Sequence, residues 1–405
     1  MKLTHFGTNK PLNYYDTDYQ IEIPETFNLK PFRAFWISNV INIDLPKMTD
    51  PTYKDKVIEM LDTAKAYNMT AIFFQVRTTN DAFYASKLNP YSRFLTGIEG
   101  KKPDFDVLAF VIKEAKLRSL EVHAWCNPYR VSMKTEMSKA DYLNTLDDLN
   151  FAKKYPAYVI TDKNGQLILN PAKKEVQSFI IESMLEIADN YAIDGIHFDD
   201  YFYPYAGLSD ADNDLFDFEQ RMDKSQTLGD FRRTQITNVI RDLNSALKQK
   251  HPNVRFGVSP FGIWKTKASD PLGANVDPKC SESFDNQYAD SYLWVKEGII
   301  DYIVPQLYWD FAHQLAPFGD LAKWWVNACK DSKVDLYIGH GPYRLGEKGG
   351  YENPYEIVNQ LKFANQFDNV LGNIFFTYKT FIDATKQKQG MDLVKKLLNG
   401  KEDIK

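Results

Sequence analysis

The chain has 405 residues, of which 44% are hydrophobic and 25% are charged, and its formal net charge at pH 7 is −5. This composition is typical of a folded globular protein and excludes a disordered, collagen-like or membrane-embedded chain. No apolar run approaches the roughly 18–20 residues of a membrane-spanning helix, so we expect no membrane insertion. The acidic balance and the lack of a basic stripe argue against a nucleic-acid partner.

The cysteines and the N-terminus bear on the compartment. Cys126, Cys280 and Cys329 are too few for a disulfide framework, which fits a reducing compartment or an exported protein that needs no bridges. The first residues lack the charged and apolar regions of a secretory signal. The sequence as it stands therefore predicts a cytoplasmic protein, whereas an exported or cell-envelope protein whose leader had been removed would look the same.

Short apolar runs of strand length alternate along the chain with longer segments of helical spacing. The predicted strands are 32–37, 71–76, 121–126, 195–198, 255–258, 301–304, 335–338 and 372–376. The predicted helices are 53–67, 106–118, 173–191, 231–249, 284–296, 318–329, 355–366 and 391–398. Eight strand–helix units predict a parallel sheet covered by helices and closed into one (β/α)8 TIM barrel. The barrel takes residues 32–400, and residues 1–31 are predicted to be an N-terminal extension that packs on it.

The connections of the predicted barrel differ in length at its two ends. Those after the third, fourth and fifth strands are long, at 127–171, 201–229 and 259–283, whereas those after the helices are short. In a TIM barrel the loops after the strands build the active face, and long loops in a compact domain are usually functional. This asymmetry predicts an enzyme with an extended substrate cleft.

Two adjacent carboxylates follow the fourth predicted strand, in the segment Asp194 to Pro204 (DGIHFDDYFYP). Strand residues alternate faces, so Asp199 points into the barrel mouth if its face is the inner one. Asp200 reaches the cleft only if the chain leaves strand geometry there. Paired carboxylates are typical of glycoside hydrolysis, and crowding raises the pKa of one of them. Adjacent acids would not straddle a glycosidic bond, but they suit a substrate-assisted reaction in which the 2-acetamido oxygen of the sugar attacks.

Polar and aromatic residues at the other strand ends are candidates for substrate binding. They are Arg77, Trp125, Asn127, His197, Tyr201, Trp264, Gln306, Tyr308, Trp309 and Tyr378. Aromatic residues make up 14% of the chain, and several near one face favour a carbohydrate cleft over simple packing. The six histidines are scattered singly rather than clustered, so we expect no metal and no cofactor. Each strand histidine alone is more typical of a hydrogen-bonded core residue.

An ordered set of motifs carries a family resemblance over about residues 30–395. The set comprises FRAFW at 32–36, QVR at 75–77, DAFYAS at 81–86, HAWCNPYR at 123–130, LNP at 169–171 and the Asp194 to Pro204 segment. It resembles the bacterial glycosyl hydrolase-like 10 family, also called domain of unknown function 187. The resemblance implies a TIM-barrel glycosidase that acts on peptidoglycan glycan strands, particularly strands without stem peptides, with its catalytic locus at Asp199 and Asp200.

The leading hypothesis is a retaining, substrate-assisted hydrolase of β-linked N-acetylhexosamine glycans, with Asp200 as general acid/base and Asp199 orienting the acetamide. The strand-four motif is similar to that of chitinases, but it carries His197 and Tyr201 where chitinases carry acids. Arg77 is a candidate to pair the lactyl carboxylate of muramic acid, or to pair Asp81 structurally. Two alternatives stay open. They are a glycan-binding barrel without turnover and a conventional two-carboxylate glycosidase in which Asp310 or Asp81 partners the strand-four pair.

Overall fold

The computed structural model describes residues 1–382 and 385–401, and within them eight parallel strands form a closed barrel. The barrel strands are β1 Phe32–Ile37, β2 Ala71–Arg77, β3 Glu121–Cys126, β4 Gly195–Phe198, β5 Arg255–Val258, β6 in two pieces Tyr302–Ile303 and Gln306–Leu307, β7 Asp335–His340, and β8 Val370–Phe375. The barrel closes where β1 pairs with β8, with Phe32 opposite Gly372. The predicted TIM barrel is therefore confirmed.

Amphipathic helices cover the outside of the barrel. The longer ones are Tyr53–Ala66, Val107–Leu117, Lys174–Asn190, Leu228–Lys250, Phe318–Ala328, Glu356–Asn365 and Lys388–Leu398. Shorter α-helices are Arg93–Thr96, Lys139–Asn144, Phe151–Lys154, Leu215–Glu219, Ser283–Asn286, Ser291–Glu297 and Tyr378–Ile382. In Tyr53–Ala66, helical spacing buries Val57, Leu61 and Ala64 against the barrel. None of the helices in the described part of the chain is long and apolar enough to cross a bilayer.

Two predicted elements are interrupted. The predicted helix 284–296 is two short helices, because Tyr288 between them adopts a left-handed φ of 52° and the Asp290 side chain caps the second one. The sixth strand is broken around Pro305, which has no N–H for a ladder bond. Its second piece still pairs with β7, Gln306 lying opposite Gly339. That piece, outside the predicted bounds, brings Gln306 to the carboxyl end of the barrel.

The loop after β3 carries a small antiparallel hairpin that the sequence pattern did not predict. Its strands are Val159–Thr161 and Leu167–Leu169, with Ile160 opposite Ile168. Arg130 forms an isolated bridge with Ile168, so the hairpin holds the start of the loop. The hairpin strands are only three residues long, which is too short for a clear alternating pattern.

The N-terminal extension folds back on itself and packs on the barrel. Antiparallel bridges join Lys2 to Glu22 and Asn13 to Gln20. Leu3 and Ile21 of this segment are buried in the main hydrophobic core. The backbone N–H of Tyr15 also donates to both carboxylate oxygens of Asp320, at 3.1 Å each. The extension is thus part of the same packed unit as the helix Phe318–Ala328.

A buried acid connects the helix Glu356–Asn365 to the loop after β6. The Glu356 carboxylate accepts hydrogen bonds from the backbone N–H of Phe311 and the side-chain amide of Gln360, both at 3.0 Å. Burial raises the pKa of this carboxyl from 4.5 to about 8. Since the folded-state pKa lies above the unfolded value, the acid stabilises the fold fully below pH 4.5, and this contribution is lost as the pH rises through 8.

We expect Glu356→Gln to have nearly wild-type stability at about pH 5 and to exceed wild type by roughly 1–4 kcal/mol above about pH 8, because the amide mimics the neutral acid at every pH. Urea unfolding of both proteins across this pH range measures the difference. A difference between variant and wild type that is the same at both ends of the range would contradict an ionisation of Glu356 within the fold.

Candidate active site

The carboxyl ends of the barrel strands surround a cleft of ≈ 420 Å³. It is lined by Trp36, Ser38, Val40, Ile41, Ile43, Gln75, Trp125, Arg130, Met133, Asp199, Asp200, Tyr201, Tyr205, Ser259, Phe261, Gln306, Tyr308, Trp309 and Phe376. The long loops after β3, β4 and β5 contribute to this lining, as the loop asymmetry predicted. Among the described lining residues, the only charged side chains are Arg130, Asp199 and Asp200.

Asp199 directly follows β4 and turns toward β3. Its carboxylate accepts a hydrogen bond from the indole N–H of Trp125 at 3.0 Å. The side-chain amide of Asn127 lies 3.2 Å from both carboxylate oxygens, and the backbone N–H of Tyr201 donates at 3.2 Å. All these donors are N–H groups that cannot accept a proton in return, so these hydrogen bonds favour the ionised form of Asp199, against the burial that raises its pKa.

Asp200 turns the other way, toward β5 and β6. Its Oδ1 accepts a hydrogen bond from the Gln306 amide at 2.9 Å, and its Oδ2 accepts one from the Tyr205 hydroxyl. The same Gln306 amide donates to the backbone carbonyl of Ser259 at 2.9 Å, which fixes its orientation. Because β4 ends at Phe198, the chain has left strand geometry at the pair, and consecutive residues can both reach the cleft.

Burial has the largest influence on the pKa of both carboxyls. It raises the pKa of Asp199 to about 6, while the Arg130 guanidinium lowers this pKa and the neighbouring Asp200 charge raises it. Burial likewise raises the pKa of Asp200, against the hydrogen bonds from Tyr205 and Gln306. The two groups interact, so their protons come off in steps that belong to the pair. A proton is thus available between them in weakly acidic solution, as general acid catalysis requires.

Aromatic side chains form the walls of the cleft. Tyr308 contacts Phe376 at a ring-centroid distance of 5.8 Å, and Trp309 packs edge-on against Phe261 at 5.5 Å. Walls of this kind stack on the apolar faces of sugar rings, whereas the polar groups converge at the carboxylate pair. Of the candidates from the sequence, the structure brings together Asp199, Asp200, Trp125, Asn127, Tyr201, Gln306, Tyr308 and Trp309.

Arg77 lies outside the cleft lining and is fully buried. Its guanidinium donates to the backbone carbonyls of Asn127 and Pro128 and to the side chain of Asn80. It therefore holds the loop after β3, which carries Asn127. Arg77 therefore does not line the substrate cleft. It does not pair with Asp81 either, because Thr78 and Thr79 donate to the Asp81 carboxylate instead.

His197 sits beneath the pair, inside the barrel. Its Nε2 lies 3.3 Å from the Trp36 indole nitrogen, which donates to it, and 2.9 Å from the Ser259 hydroxyl. Burial lowers the pKa of this imidazole well below its usual value. It is a neutral ring that supports Trp36 and Ser259 from below, and it does not line the cleft.

Trp264 and Tyr378 also lie away from the cleft. The Trp264 indole donates to Asp290 at 2.9 Å and stacks on Trp324 among the covering helices. Tyr378 begins the last short helix and packs against Phe35 at a centroid distance of 5.6 Å. Both residues lie near strand ends in the sequence, but their side chains turn outward into the shell of the barrel. We therefore do not assign them to substrate binding.

Sequence reasoning missed Arg130 and Tyr205. Both belong to segments next to candidates that it named, Arg130 closing the 123–130 motif and Tyr205 following Pro204. Tyr205 holds Asp200, and Arg130 is the cation of the cleft. A signal was present, since each extends a polar motif at a strand end. The sequence could not give the direction in which each loop carries its side chain.

The structure does not bring the alternative carboxylates to the pair. Asp81 is buried in hydrogen bonds with Thr78 and Thr79. Asp310 lines a separate cavity of ≈ 990 Å³ beside the N-terminal extension. Neither the Asp81 nor the Asp310 carboxylate therefore lies in this cleft, where a conventional two-carboxylate mechanism would need it. Within residues 1–382 and 385–401, no three His, Cys, Asp or Glu side chains cluster in a way that could hold a metal ion.

Comparisons with known proteins agree on the family. The model of the family described as Glycosyl hydrolase-like 10 matches residues 31–357. The chain is 38% identical over 356 residues to glycosyl hydrolase YngK of Bacillus subtilis, over 86% of this chain and 68% of the relative. It is 33% identical over 366 residues to glycosyl hydrolase DigH of Escherichia coli K12, over 86% and 83% of the two chains.

A solved structure supports the fold alone. α-L-Fucosidase isoenzyme 2 of Paenibacillus thiaminolyticus superposes with a TM-score of 0.56 and 12% identity, over 92% of this chain. The chain spans about half of that protein, namely 50% of its length.

The closed barrel and the glycosyl hydrolase relatives together place the chain among the TIM-barrel glycoside hydrolases. Within that class, the chain belongs to the glycosyl hydrolase-like 10 family. The predicted family and the predicted glycosidase class are thereby confirmed.

Proposed function

We propose that the protein is a retaining, substrate-assisted hydrolase of β-linked N-acetylhexosamine glycans, most specifically of peptide-free peptidoglycan strands. The observation that carries this proposal is the buried Asp199–Asp200 pair, whose two carboxylates are held by different kinds of donor. The preference for peptidoglycan strands is supported by the family resemblance of the sequence motifs.

In the proposed reaction Asp200 is the general acid/base. Its partner Tyr205 is a hydroxyl, which can donate to the ionised acid and accept from the protonated one, so both protonation states are accommodated. Protonated Asp200 gives its proton to the leaving glycosidic oxygen as that bond breaks. The acetamido oxygen of the sugar forms the new bond to the anomeric carbon. Asp200 then takes a proton from the water that opens this intermediate, and the anomeric configuration is retained.

Asp199 remains ionised through this cycle. Its carboxylate accepts from the acetamide N–H of the sugar, which orients the acetamido oxygen and stabilises the positive charge that develops on the ring. Trp125 and Asn127 keep Asp199 in place. Gln306, Tyr201 and Tyr308 are proposed to contact sugar hydroxyls, and Trp309 and Trp125 to provide apolar faces.

The proposal is tested with peptide-free glycan strands and chitin oligomers as substrates, with products identified by mass and the first-formed anomer by NMR. We expect β-configured products. Replacing the N-acetyl group by N-trifluoroacetyl keeps its size but weakens its oxygen as a nucleophile, so kcat/KM should fall by at least about a hundredfold. Turnover that is insensitive to this change points to a protein nucleophile, and binding of the glycans without any product points to a carbohydrate-binding barrel.

Trp125→Phe should move the acid limb of the kcat/KM profile to higher pH by roughly half to one unit. The indole N–H stabilises ionised Asp199, so its loss raises the pKa of that carboxyl by about the value of one hydrogen bond. Trp309→Phe is the matched control, because Trp309 lines the same cleft and contributes no hydrogen bond to the described Asp199 or Asp200. An acid limb that moves equally in both variants would show that the shift is not due to this bond.

A further inference from the structure

Arg130 is a largely buried cation of the cleft whose guanidinium has no protein acceptor among the described residues. The residue is only 5% exposed, and its Nε is buried without a partner. Within the described residues, its guanidinium makes no hydrogen bond and no ion pair, whereas Arg77 at the end of β2 donates from its terminal nitrogens to three protein oxygens. Because Arg130 lines the cleft, a bound ligand can supply acceptors to its terminal nitrogens.

The guanidinium is nevertheless held in a fixed place. Its carbon lies 4.1 Å from the ring centroid of Tyr201, which is 39% exposed at the cleft. An arginine that rests on an aromatic face keeps its N–H donors available at its edge. The backbone N–H of Arg130 donates to Asn127 at 2.9 Å, and the amide of that asparagine reaches Asp199. Asn127 therefore sets the position of both the cation and the carboxylate.

Neither Asp199 nor Asp200 forms a hydrogen bond or an ion pair with the Arg130 guanidinium. Arg130 lines the same cleft as both aspartates and its positive charge lowers the pKa of both carboxyls, yet no oxygen of either lies within 4.0 Å of its nitrogens in the described structure. Asp199 and Asp200 are already bonded to Trp125, Asn127, Tyr205 and Gln306. The fork of donors that Arg130 presents thus matches a carboxylate brought by the substrate.

We propose that Arg130 recognises a carboxylate carried by the sugar bound beside the catalytic pair, namely the free lactyl carboxylate of an N-acetylmuramic acid residue. This inference rests on the proposed function and makes it more specific. A stem peptide would convert that carboxylate into an amide, which has no charge and only one acceptor oxygen to offer. The site therefore selects strands from which the peptides have been removed. A uronic acid carries the same chemical group on the ring itself and is the alternative source that the experiment separates.

The test compares three β-linked tetrasaccharides. The first alternates N-acetylglucosamine with N-acetylmuramic acid, the second is its lactyl carboxamide, and the third alternates N-acetylglucosamine with N-acetylglucosaminuronic acid, which carries its carboxylate on the ring and keeps the 2-acetamido group. For wild type we expect kcat/KM to be roughly ten to a hundredfold higher for the free acid than for the amide, mainly through KM. In Arg130→Gln the ratio should fall close to one. Because each ratio is internal to one variant, partial misfolding does not affect it.

Arg221→Gln is the matched control, since Arg221 also lies over an aromatic ring, that of Phe218 at 3.7 Å, but outside the cleft lining. This control should keep the wild-type ratio. The proposal is overturned if wild type cleaves the lactyl acid and its amide with equal kcat/KM. It is also overturned if Arg130→Gln lowers kcat/KM equally for both glycans and shifts only the pH profile, because Arg130 would then be a positioning charge for Asp199. Faster cleavage of the N-acetylglucosaminuronate glycan than of the lactyl acid overturns the lactyl assignment.

If none of the three glycans is cleaved, the proposed hydrolysis fails while the recognition can still be measured. Calorimetry of the same ligands then decides. Tighter binding of the lactyl acid than of its amide, lost in Arg130→Gln, supports the carboxylate site, and equal binding overturns it.

Discussion

Replacing Asp200 by asparagine should lower kcat/KM on peptide-free glycan strands by about a thousandfold, within the range that general acid catalysis contributes. Asparagine keeps the size of the side chain and can still accept from Gln306, but it has no proton to give to the leaving oxygen. Asp199→Asn should lose at least about a hundredfold, because the developing positive charge then lacks its carboxylate. Steady-state kinetics on both variants, with folding checked by circular dichroism, measures these losses.

The two roles separate when the leaving group is changed. An aryl glycoside with an acidic phenol leaves without protonation, so Asp200→Asn should recover most of its first-step rate on it, whereas Asp199→Asn should not. Asp194→Asn is the matched control on the same strand segment. Asp194 lies at the opposite end of β4 and binds the backbone N–H of Val122, so it should retain full activity. Turnover within tenfold of wild type in both site variants would remove the pair from the mechanism.

Asp214→Asn has the largest expected effect on stability, a loss of about 3–5 kcal/mol. The fully buried Asp214 carboxylate accepts from Arg232 Nε and from the Tyr203 hydroxyl, both at 2.9 Å. The amide leaves the Arg232 guanidinium without its counter-charge in the interior. The pair joins the loop after β4 to the helix Leu228–Lys250, so the variant should also lower activity by loosening Tyr205, which holds Asp200.

Urea unfolding at neutral pH measures this loss. Glu297→Gln is the matched control, because its ion pair with Arg241 is at the surface, where such pairs contribute about 0–1 kcal/mol. A loss below about 1 kcal/mol in Asp214→Asn would mean that other groups compensate the charge of Arg232 when the carboxylate is removed.

Local sequence determined most of the barrel. The bounds of β1, β3, β4 and β5 coincide with those predicted, since each is a short, nearly fully buried run whose ends are marked by polar residues, glycine or turns. The predicted helices 53–67, 173–191 and 318–329 agree within a residue at each end for the same reason, because a 3.6-residue apolar period is readable without tertiary information. Errors occurred where one residue overrides the pattern, at Pro305 and at Tyr288, and where strands are too short to show a pattern, as in the hairpin after β3.

The sequence by itself thus determined the closed barrel, the family and the position of Asp199 and Asp200 at the end of β4. Only the tertiary structure decided which other side chains meet that pair. Alternation fixes the face of a residue within a strand, but beyond the strand end a loop can turn inward or outward. Trp264 and Tyr378 turn into the helical shell, whereas Tyr205 and Arg130 turn into the cleft. Their directions depend on contacts with residues distant in sequence, such as Asp290 for Trp264 and Ile168 for Arg130, which no local pattern contains.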